Sequence, residues 1–433
     1  MRYDPISSEL FKLNRKRFTQ KMVPDAIAIF HSNDLMPRNG DTFFPFRQNS
    51  DLFYLSGLDQ EETVLVLFPD CIKDGFYELA FIKRSDEKSR LWEGTGYSKE
   101  KARQISGIEK IYWLDEMPII LNELILLAKR IYLNTNEHEH FRSDVSNRNI
   151  RMAREMMQKY PLHKYHRAQP ILKKLAMIKS HYEIELVQKA IQITGSAFHR
   201  VLQHLKPGVF EYELEAEVTH EFIRRRANGH AYSPIIASGP NNCVLHYSEN
   251  TRQCREGELV LMDFGAEYAN YAADFTRTIP VNGQFSDRQL AVYNAVLGVL
   301  RKATQLLVPG TSMEEYHQKV GAFMQEELLA LGLISQKDID KQNPAFPAYK
   351  KYFMHSISHH LGRDVHDLSS RYAPLLAGMV LTVEPGIYIR EEQFGIRLEN
   401  IILITDEGPV DLTSGIPIEA EEIESLMNAE VMG

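Results

Sequence analysis

Cysteine is scarce in this 433-residue sequence: Cys71, Cys243 and Cys254 are the whole supply, and no two of them stand in a CxxC spacing. So small and scattered a set argues against a disulfide framework or a thiolate zinc site and suits a reducing cytoplasm. Positive charge is in deficit too. Lys and Arg number 50 against 58 Asp and Glu, a formal net charge of −8, which leaves no basic excess to neutralise nucleic-acid phosphates or anionic lipid. No apolar run approaches the roughly 18 residues of a membrane span. The opening residues MRYDPISSELFKLNRKRF lack the apolar centre of a signal peptide, so secretion is not expected. The expectation is a cytoplasmic protein with neither nucleic acid nor membrane as partner. What is present is ordinary for a folded chain: 44% hydrophobic and 25% charged residues exclude a disordered or fibrous protein, and the length implies at least two domains.

The first third reads as mixed α/β. Residues 1–22 read as helix, and DAIAIF (25–30), TVLVLF (63–68) and YELAFI (77–82) as buried strands. Short strands follow at EKIYWL (109–114) and RIYLN (130–134), with a helical run at 142–160. QPILKK (169–174) reads as the linker, because the pattern then changes to long amphipathic helices; the expected domains are 1–172 and 173–433. The stretch 173–208 carries apolar residues at helical spacing and stops at Pro207-Gly208. Beyond it the sequence repeats itself. LKPG (205–208) introduces a helix at 211–228, and LVPG (307–310) another at 313–331. GELVLMDFG (257–265) aligns with GMVLTVEPG (378–386), which places Asp263 on Glu384. Two matching blocks in the same order predict a duplicated α+β unit whose pseudo-two-fold sets Asp263 and Glu384 across a shared centre.

Both acidic strands belong to hairpins. If the first is symmetric about the turn around Glu267-Tyr268-Ala269-Asn270, Asp263 faces Asp274. If the second, LTVEPGIYI (381–389) with FGIRLENIILI (394–404), folds about Glu391-Glu392, Glu384 faces Glu399, unless a bulge at Pro385 shifts the register by one. Directly opposed carboxylates in otherwise apolar strands repel, so two such pairs call for cations between them. Four carboxylates suit two divalent ions about 3.5–4 Å apart. Oxygen donors of this hardness favour Mn²⁺, with Co²⁺ or Zn²⁺ as alternatives.

HSISHHLGRDVHD (355–367) gathers His355, His359, His360 and His366. Beside an acidic metal site such a cluster offers one ligand plus hydrogen-bond donors for a substrate, and the residues alone do not say which is the ligand. His360 reads as an ordinary hydrogen-bonded loop residue, and His246 in NNCVLHYS is a further candidate. Arg397 lies two residues before Glu399, on the same sheet face, opposite Gly386. A guanidinium there can brace a carboxylate. Other apparent motifs fail. His220-Glu221 opens like HExxH but Arg224 holds the last position, Gly94 and Gly96 make a fragment of a phosphate loop, and Cys243 near His246 lacks an orienting third group.

The C-terminal part resembles the "pita-bread" metallopeptidases, and nearly the full chain is similar to the aminopeptidase P family, with the prolidases close relatives. FRQNSDLFYLSG (46–57) is similar to the family's N-terminal signature, and LAMIKSHYEIELVQKAIQIT (175–194) to the helix that opens its catalytic domain. The resemblance implies a smaller mixed α/β domain for oligomerisation and substrate access, then a catalytic domain with a curved antiparallel sheet flanked by helices. It implies a five-ligand metal series, Asp263, Asp274, His359, Glu384 and Glu399. Asp263 would bind one ion, Asp274 and Glu399 would bridge, and His359 and Glu384 would complete the second ion. The implied activity is hydrolysis of the N-terminal Xaa-Pro bond by a hydroxide bridging the two ions, with Glu384 taking its proton. His246 and His366 match substrate-contacting histidines, His355 the wall of the proline-side pocket, and Tyr388 and Arg397 residues beside the metals. Trp92 falls in a segment that, in the aminopeptidase P group, can reach a neighbouring subunit's active site, and the resemblance implies a homodimer or dimer of dimers. Between His366 and Gly378 the sequence departs from the family pattern, so Arg371 receives no role. Prolidase action on Xaa-Pro dipeptides is the alternative. A pita-bread binding module without catalysis is a remote one, since such proteins have lost ligands that are all present in this chain.

Overall fold

A computed structural model describes residues 3–429 apart from 86–90, 93, 95, 139, 140, 142 and 371; Arg371 therefore lies outside the described residues. The chain divides into a unit Tyr3–Ala176 and a second beginning at Met177. In the first, β1 (Ala26–His31), β2 (Val64–Leu67), β3 (Glu78–Ile82), β4 (Lys110–Trp113), β5 (Arg130–Leu133) and β6 (Lys164–Arg167) form one sheet in the order β4-β3-β2-β1-β5-β6. The strands β1, β2 and β3 pair antiparallel, and β4, β5 and β6 add in parallel. Alternate side chains serve opposite faces. Ala28, Phe30, Leu65 and Leu67 pack with residues of the helices Ser8–Thr19 and Ser50–Ser56, whereas Ile27, Ile29, Val64 and Val66 meet Met117–Leu127 and Arg148–Lys159. A sheet covered on both faces needs apolar residues at every position, which is why these strands read as unbroken apolar runs.

One strand of this unit carries no sequence signal, and one sequence expectation fails. Strand β6, KYHR, has no fully buried residue and hence no apolar signal, so it escaped detection. The segment 169–174 is not a linker: it lies in the helix Gln169–Met177, whose Leu172 and Leu175 belong to the core of this unit.

The second unit opens with the helix His181–His204, started by a capping box in which Ser180 and Glu183 satisfy each other's ends. The helix Glu211–Arg224 and six short strands follow: β7 (Gly229–His230), β8 (Ile235–Ser238), β9 (Leu259–Asp263), β10 (Ala266–Tyr268), β11 (Tyr271–Ala272) and β12 (Thr276–Pro280). The theme recurs as the helices Asp287–Gln305 and Met313–Ala330, then β13 (Val380–Val383), β14 (Gly386–Ile389), β15 (Phe394–Arg397), β16 (Asn400–Thr405) and β17 (Gly408–Asp411). All strand pairing in this unit is antiparallel among the described residues.

The first hairpin does not have the expected register. Tyr268 pairs with Tyr271 and Asp263 with Thr276. The turn is Ala269-Asn270 alone, at φ 52° and 61°, the left-handed pair of a type I′ hairpin. Tyr268 is a buried strand residue and not part of the turn. The shift leaves Asp274 diagonal to Asp263 on the same face, with Gly265 opposite it between the bonds Phe264 N–H to Phe275 O (3.1 Å) and Ala273 N–H to Ala266 O (2.9 Å). Only glycine fits there, because a Cβ would lie 1.8 Å from the Ala273 carbonyl oxygen. The second hairpin has the expected register. Val383 pairs with Asn400 and Gly386 with Arg397, so Glu384 stands opposite Glu399, and no bulge intervenes at Pro385.

Candidate metal centre and active site

The acids sit where each ladder is interrupted. Asp263 ends β9, Asp274 lies between β11 and β12, Glu384 follows β13, and Glu399 lies between β15 and β16. The two hairpins are stitched together at that level: Glu399 N–H donates to the Thr276 carbonyl (3.0 Å), and Thr276 Oγ1 donates to Glu399 Oε2 (2.8 Å). Ligand atoms of Asp274, His359 and Glu399 all lie within 4.8 Å of one another. His359 Nε2 is 3.2 Å from Asp274 Oδ2 and 3.7 Å from Glu384 Oε1. Its Nδ1 is 3.1 Å from the His360 carbonyl oxygen. A carbonyl only accepts, so Nδ1 carries a proton and Nε2 is the nitrogen offered to the cluster.

Asp263 joins the group in two ways. Arg397 Nη2 donates to its Oδ2 at 2.6 Å, and the Tyr232 hydroxyl lies 2.6 Å from Oδ1 of both Asp263 and Asp274. The electrostatics show one guanidinium facing too many acids. Burial, then repulsion from Asp274 and Glu384, pushes Glu399 well above the usual carboxylate range. Burial lifts Glu384 to about 7, with Asp274 and Asp263 adding to it against His359 and Arg397. Burial raises Asp263 as well, with Arg397 opposing. Asp274 is held low despite burial by His359, whose imidazole is drawn up to about 9 although burial opposes it. Four carboxylates and one imidazole nitrogen, with a surplus of negative charge that holds protons, make a donor set suited to divalent cations.

A second chain of contacts leads away from the acids. Arg397 Nη1 donates to Tyr388 Oη (2.9 Å), and Tyr388 Oη lies 2.8 Å from His355 Nε2. His355 Nδ1 is 2.8 Å from the Ser356 carbonyl, so Nε2 accepts the tyrosine proton. Burial first, then Arg397, pushes His355 down to about 3, which keeps it neutral. A Cβ on Gly386 would lie 2.7 Å from the Tyr388 hydroxyl, so the glycine opposite Arg397 leaves room for this contact. His366 is exposed, and its ring meets that of His359 edge-on at 4.4 Å. His246 is exposed in the turn after Cys243, close enough to His355 to disfavour its charging.

Other residues fall outside the cluster. Burial pushes the Cys243 thiol up, away from thiolate chemistry. Glu221 is occupied by Arg224 and Arg225, and His360 is buried and bridges to Leu381. Trp92 is 79% exposed. Two members of the site were missed in the sequence. Tyr232, in GHAYSP between β7 and β8, carries no pattern that marks it, and Thr276 read as one more strand residue.

Comparison with known proteins accounts for both units. Residues 11–132 match the aminopeptidase P N-terminal domain, and residues 185–406, just over half the chain, match metallopeptidase family M24. The Xaa-Pro aminopeptidase of Haemophilus influenzae is 35% identical over 437 residues, covering 98% of each chain. That of Escherichia coli K12 is 35% identical over 445 residues, again covering 98% of each. The structure of zinc-substituted E. coli aminopeptidase P in complex with product superposes with a TM-score of 0.87 at 33% identity, covering 98% of this chain and 99% of that one. This chain belongs to metallopeptidase family M24, with the two-domain α+β pita-bread fold of the aminopeptidase P group.

Proposed function

We propose that this metallopeptidase removes the first residue from peptides with proline second, using two divalent ions held by Asp263, Asp274, His359, Glu384 and Glu399. The observation that carries the reading is the half-buried cluster itself, four carboxylates and an imidazole nitrogen faced by one guanidinium, in a chain similar over its whole length to Xaa-Pro aminopeptidases. Asp274 and Glu399 would be ligands to both ions, Asp263 to one, and His359 with Glu384 to the other. Hard oxygen donors with a single nitrogen favour Mn²⁺. Two such ions, when bound, would supply Lewis acidity and a water nucleophile at neutral pH. The chain's own residues do the rest. Glu384 takes the proton of the attacking water and returns it to the prolyl nitrogen as the C–N bond breaks. His246 and His366 bind the peptide and donate to the oxyanion that develops. Neutral His355, braced by Tyr388 and Arg397, forms the wall of the proline-side pocket.

A role for the N-terminal domain in assembly and substrate access belongs to the same proposal, as does a homodimer or dimer of dimers. Ile119, Leu126 and Leu162, exposed at 79%, 66% and 97%, support an assembly role. Cytoplasmic residence is supported by three free cysteines. No described helix is long and apolar enough to cross a membrane.

The test strips the metal, restores Mn²⁺ and compares Xaa-Pro dipeptides with Xaa-Pro peptides of three or more residues. Mn²⁺-dependent release of the first residue from the longer peptides is expected. Activity confined to dipeptides makes the protein a prolidase, and no hydrolysis of either with two ions bound sinks the substrate assignment. Asp274→Ala and Glu399→Ala are each expected to abolish turnover and lower the bound metal, since each removes a ligand to both ions. Full metal content and activity in either variant overturns the bridging assignment.

A further inference from the structure

Beneath the loop that carries His359 and His366 lies an ion pair that the proposed reaction does not use. Lys179, just ahead of the capping residue Ser180, places its Nζ 3.1 Å from Asp367 Oδ2, and both side chains are wholly shielded from solvent. Lys179 is fixed at its backbone, where its N–H donates to the Gly378 carbonyl at 2.8 Å. Gly362 is what allows the pair to close, because a Cβ there would fall 2.4 Å from Asp367 Oδ2 and 2.7 Å from Lys179 Cε. Two further charges join the group. Arg363 Nε is 3.9 Å from Asp367 Oδ1, and Glu183, in the field of Lys179 and Arg363, accepts from Ser180 Oγ at 2.9 Å and Tyr271 Oη at 3.2 Å. Among the described residues, two cations thus face two carboxylates.

A buried ion pair adds little net stability over apolar residues of the same volume. What this pair does provide is location. Asp367 is the residue after His366, and its backbone N–H donates at 2.9 Å to the His360 carbonyl oxygen. That same oxygen, 3.1 Å from His359 Nδ1, orients the ring of the proposed metal ligand. One acceptor therefore couples the return of the loop at Asp367 to the aim of His359, and the His366 ring stands edge-on to His359 at 4.4 Å. The turn is held on its other side by Ala272 N–H donating to the Gly362 carbonyl (2.8 Å) and Leu361 N–H to the Val380 carbonyl (3.1 Å).

We propose that Lys179 and Asp367 are positioning residues that hold His366 against the ligand cluster, acting on turnover through His366 and not by touching the peptide. The proposal deepens the peptidase reading and rests on it for its kinetic test. Lys179→Met with Asp367→Asn removes the pair while Arg363 and Glu183 still balance. Expected is a folded protein with wild-type metal content whose kcat on an Xaa-Pro tripeptide falls about 10- to 100-fold, with KM within about threefold. In a His366→Ala background the same two changes are expected to cost less than about twofold more, because their effect runs through a ring already gone. An unchanged kcat, or an equal loss in both backgrounds, overturns the proposal. If the double variant does not fold, Asp367→Asn alone carries the same test, since it keeps the volume and the Oδ1 acceptor for Leu368 N–H at 2.8 Å. A second readout is independent of activity. With ¹³C-labelled histidine, the His366 resonance, identified by its disappearance in His366→Ala, is expected to move in Asp367→Asn. A resonance that stays in place overturns the proposal. Wild-type protein that fails to cleave the tripeptide sinks the peptidase reading alone and leaves the spectroscopic result standing.

Discussion

Tyr232 holds a position that a single hydroxyl proton cannot fully satisfy. Its oxygen lies 2.6 Å from carboxylate oxygens of both Asp263 and Asp274, so it donates to one and the other must find a cation or a proton. Its phenol is held far above its ordinary range by burial and then by Asp263 and Asp274, which fixes it as a donor. Partners of this kind orient metal ligands, and losing one typically costs about 10- to 100-fold in metal affinity. Tyr232→Phe is therefore expected to weaken Mn²⁺ binding by that amount at unchanged fold, read by calorimetric titration; wild-type affinity would show the hydroxyl to be dispensable. The contrast with Asp263, Glu384 and Arg397 shows what single residues reveal in advance. Acids recurring at equivalent places in two apolar hairpins stand out because burying them together is costly, and an arginine opposite a glycine stands out because alternation puts it on the same face. A tyrosine that reaches the cluster from the segment between β7 and β8 leaves no such trace. Nor does His359 separate itself from its neighbours until the bond from Nδ1 to the His360 carbonyl singles out its Nε2.

At the scale of elements, the two hairpins were unequally legible for a physical reason. The second closes through Arg390–Glu392 with Gln393 at φ 59°, and its polar residues mark the turn. The first closes through Ala269-Asn270 at positive φ, and alanine is not a residue that announces a left-handed turn. Placing the turn one residue early moves every partner by two and wrongly sets Asp263 against Asp274. The site survives that error because a shift of two keeps both acids on one face. Two substitutions test the observed register. Ala269→Gly relieves a strained position and is expected to stabilise by about 1 kcal/mol, seen as a higher denaturant midpoint. Gly265→Ala drives a Cβ to within 1.8 Å of the Ala273 carbonyl oxygen, which forces the backbone beside Asp274 to move. Loss of metal binding together with a large loss of stability is expected, and a variant with unaltered metal content would contradict the placement of Gly265 opposite Asp274. The N-terminal strands were legible for the opposite reason: a sheet buried on both faces shows as apolar runs, and the one strand without buried residues, β6, was the one missed.

Across the whole molecule, the acid cluster ties stability, metal uptake and pH together. In the metal-free protein Glu384 is raised to about 7 and His359 to about 9, and Glu399 is raised well above its ordinary value. A group raised in the folded state contributes stability that is present below its unfolded pKa and is lost as pH climbs through the folded one. For Glu384 that loss runs from the ordinary carboxylate range to about 7, and for His359 from its ordinary value to about 9. Asp274, held low, contributes the other way, but its loss falls in more acidic solution. The metal-free protein is therefore expected to become less stable between about pH 6 and 8. Divalent ions replace the protons, so metal stabilises more the higher the pH in this window, and uptake releases protons. Thermal unfolding with and without Mn²⁺ should show a gap in Tm that widens from about pH 6 to 8. Calorimetric titration near neutral pH in buffers of different ionisation enthalpy should show net proton release. A Tm gap independent of pH, or heat independent of buffer, would mean that these carboxylates are already ionised in the metal-free protein and that some other cation balances them.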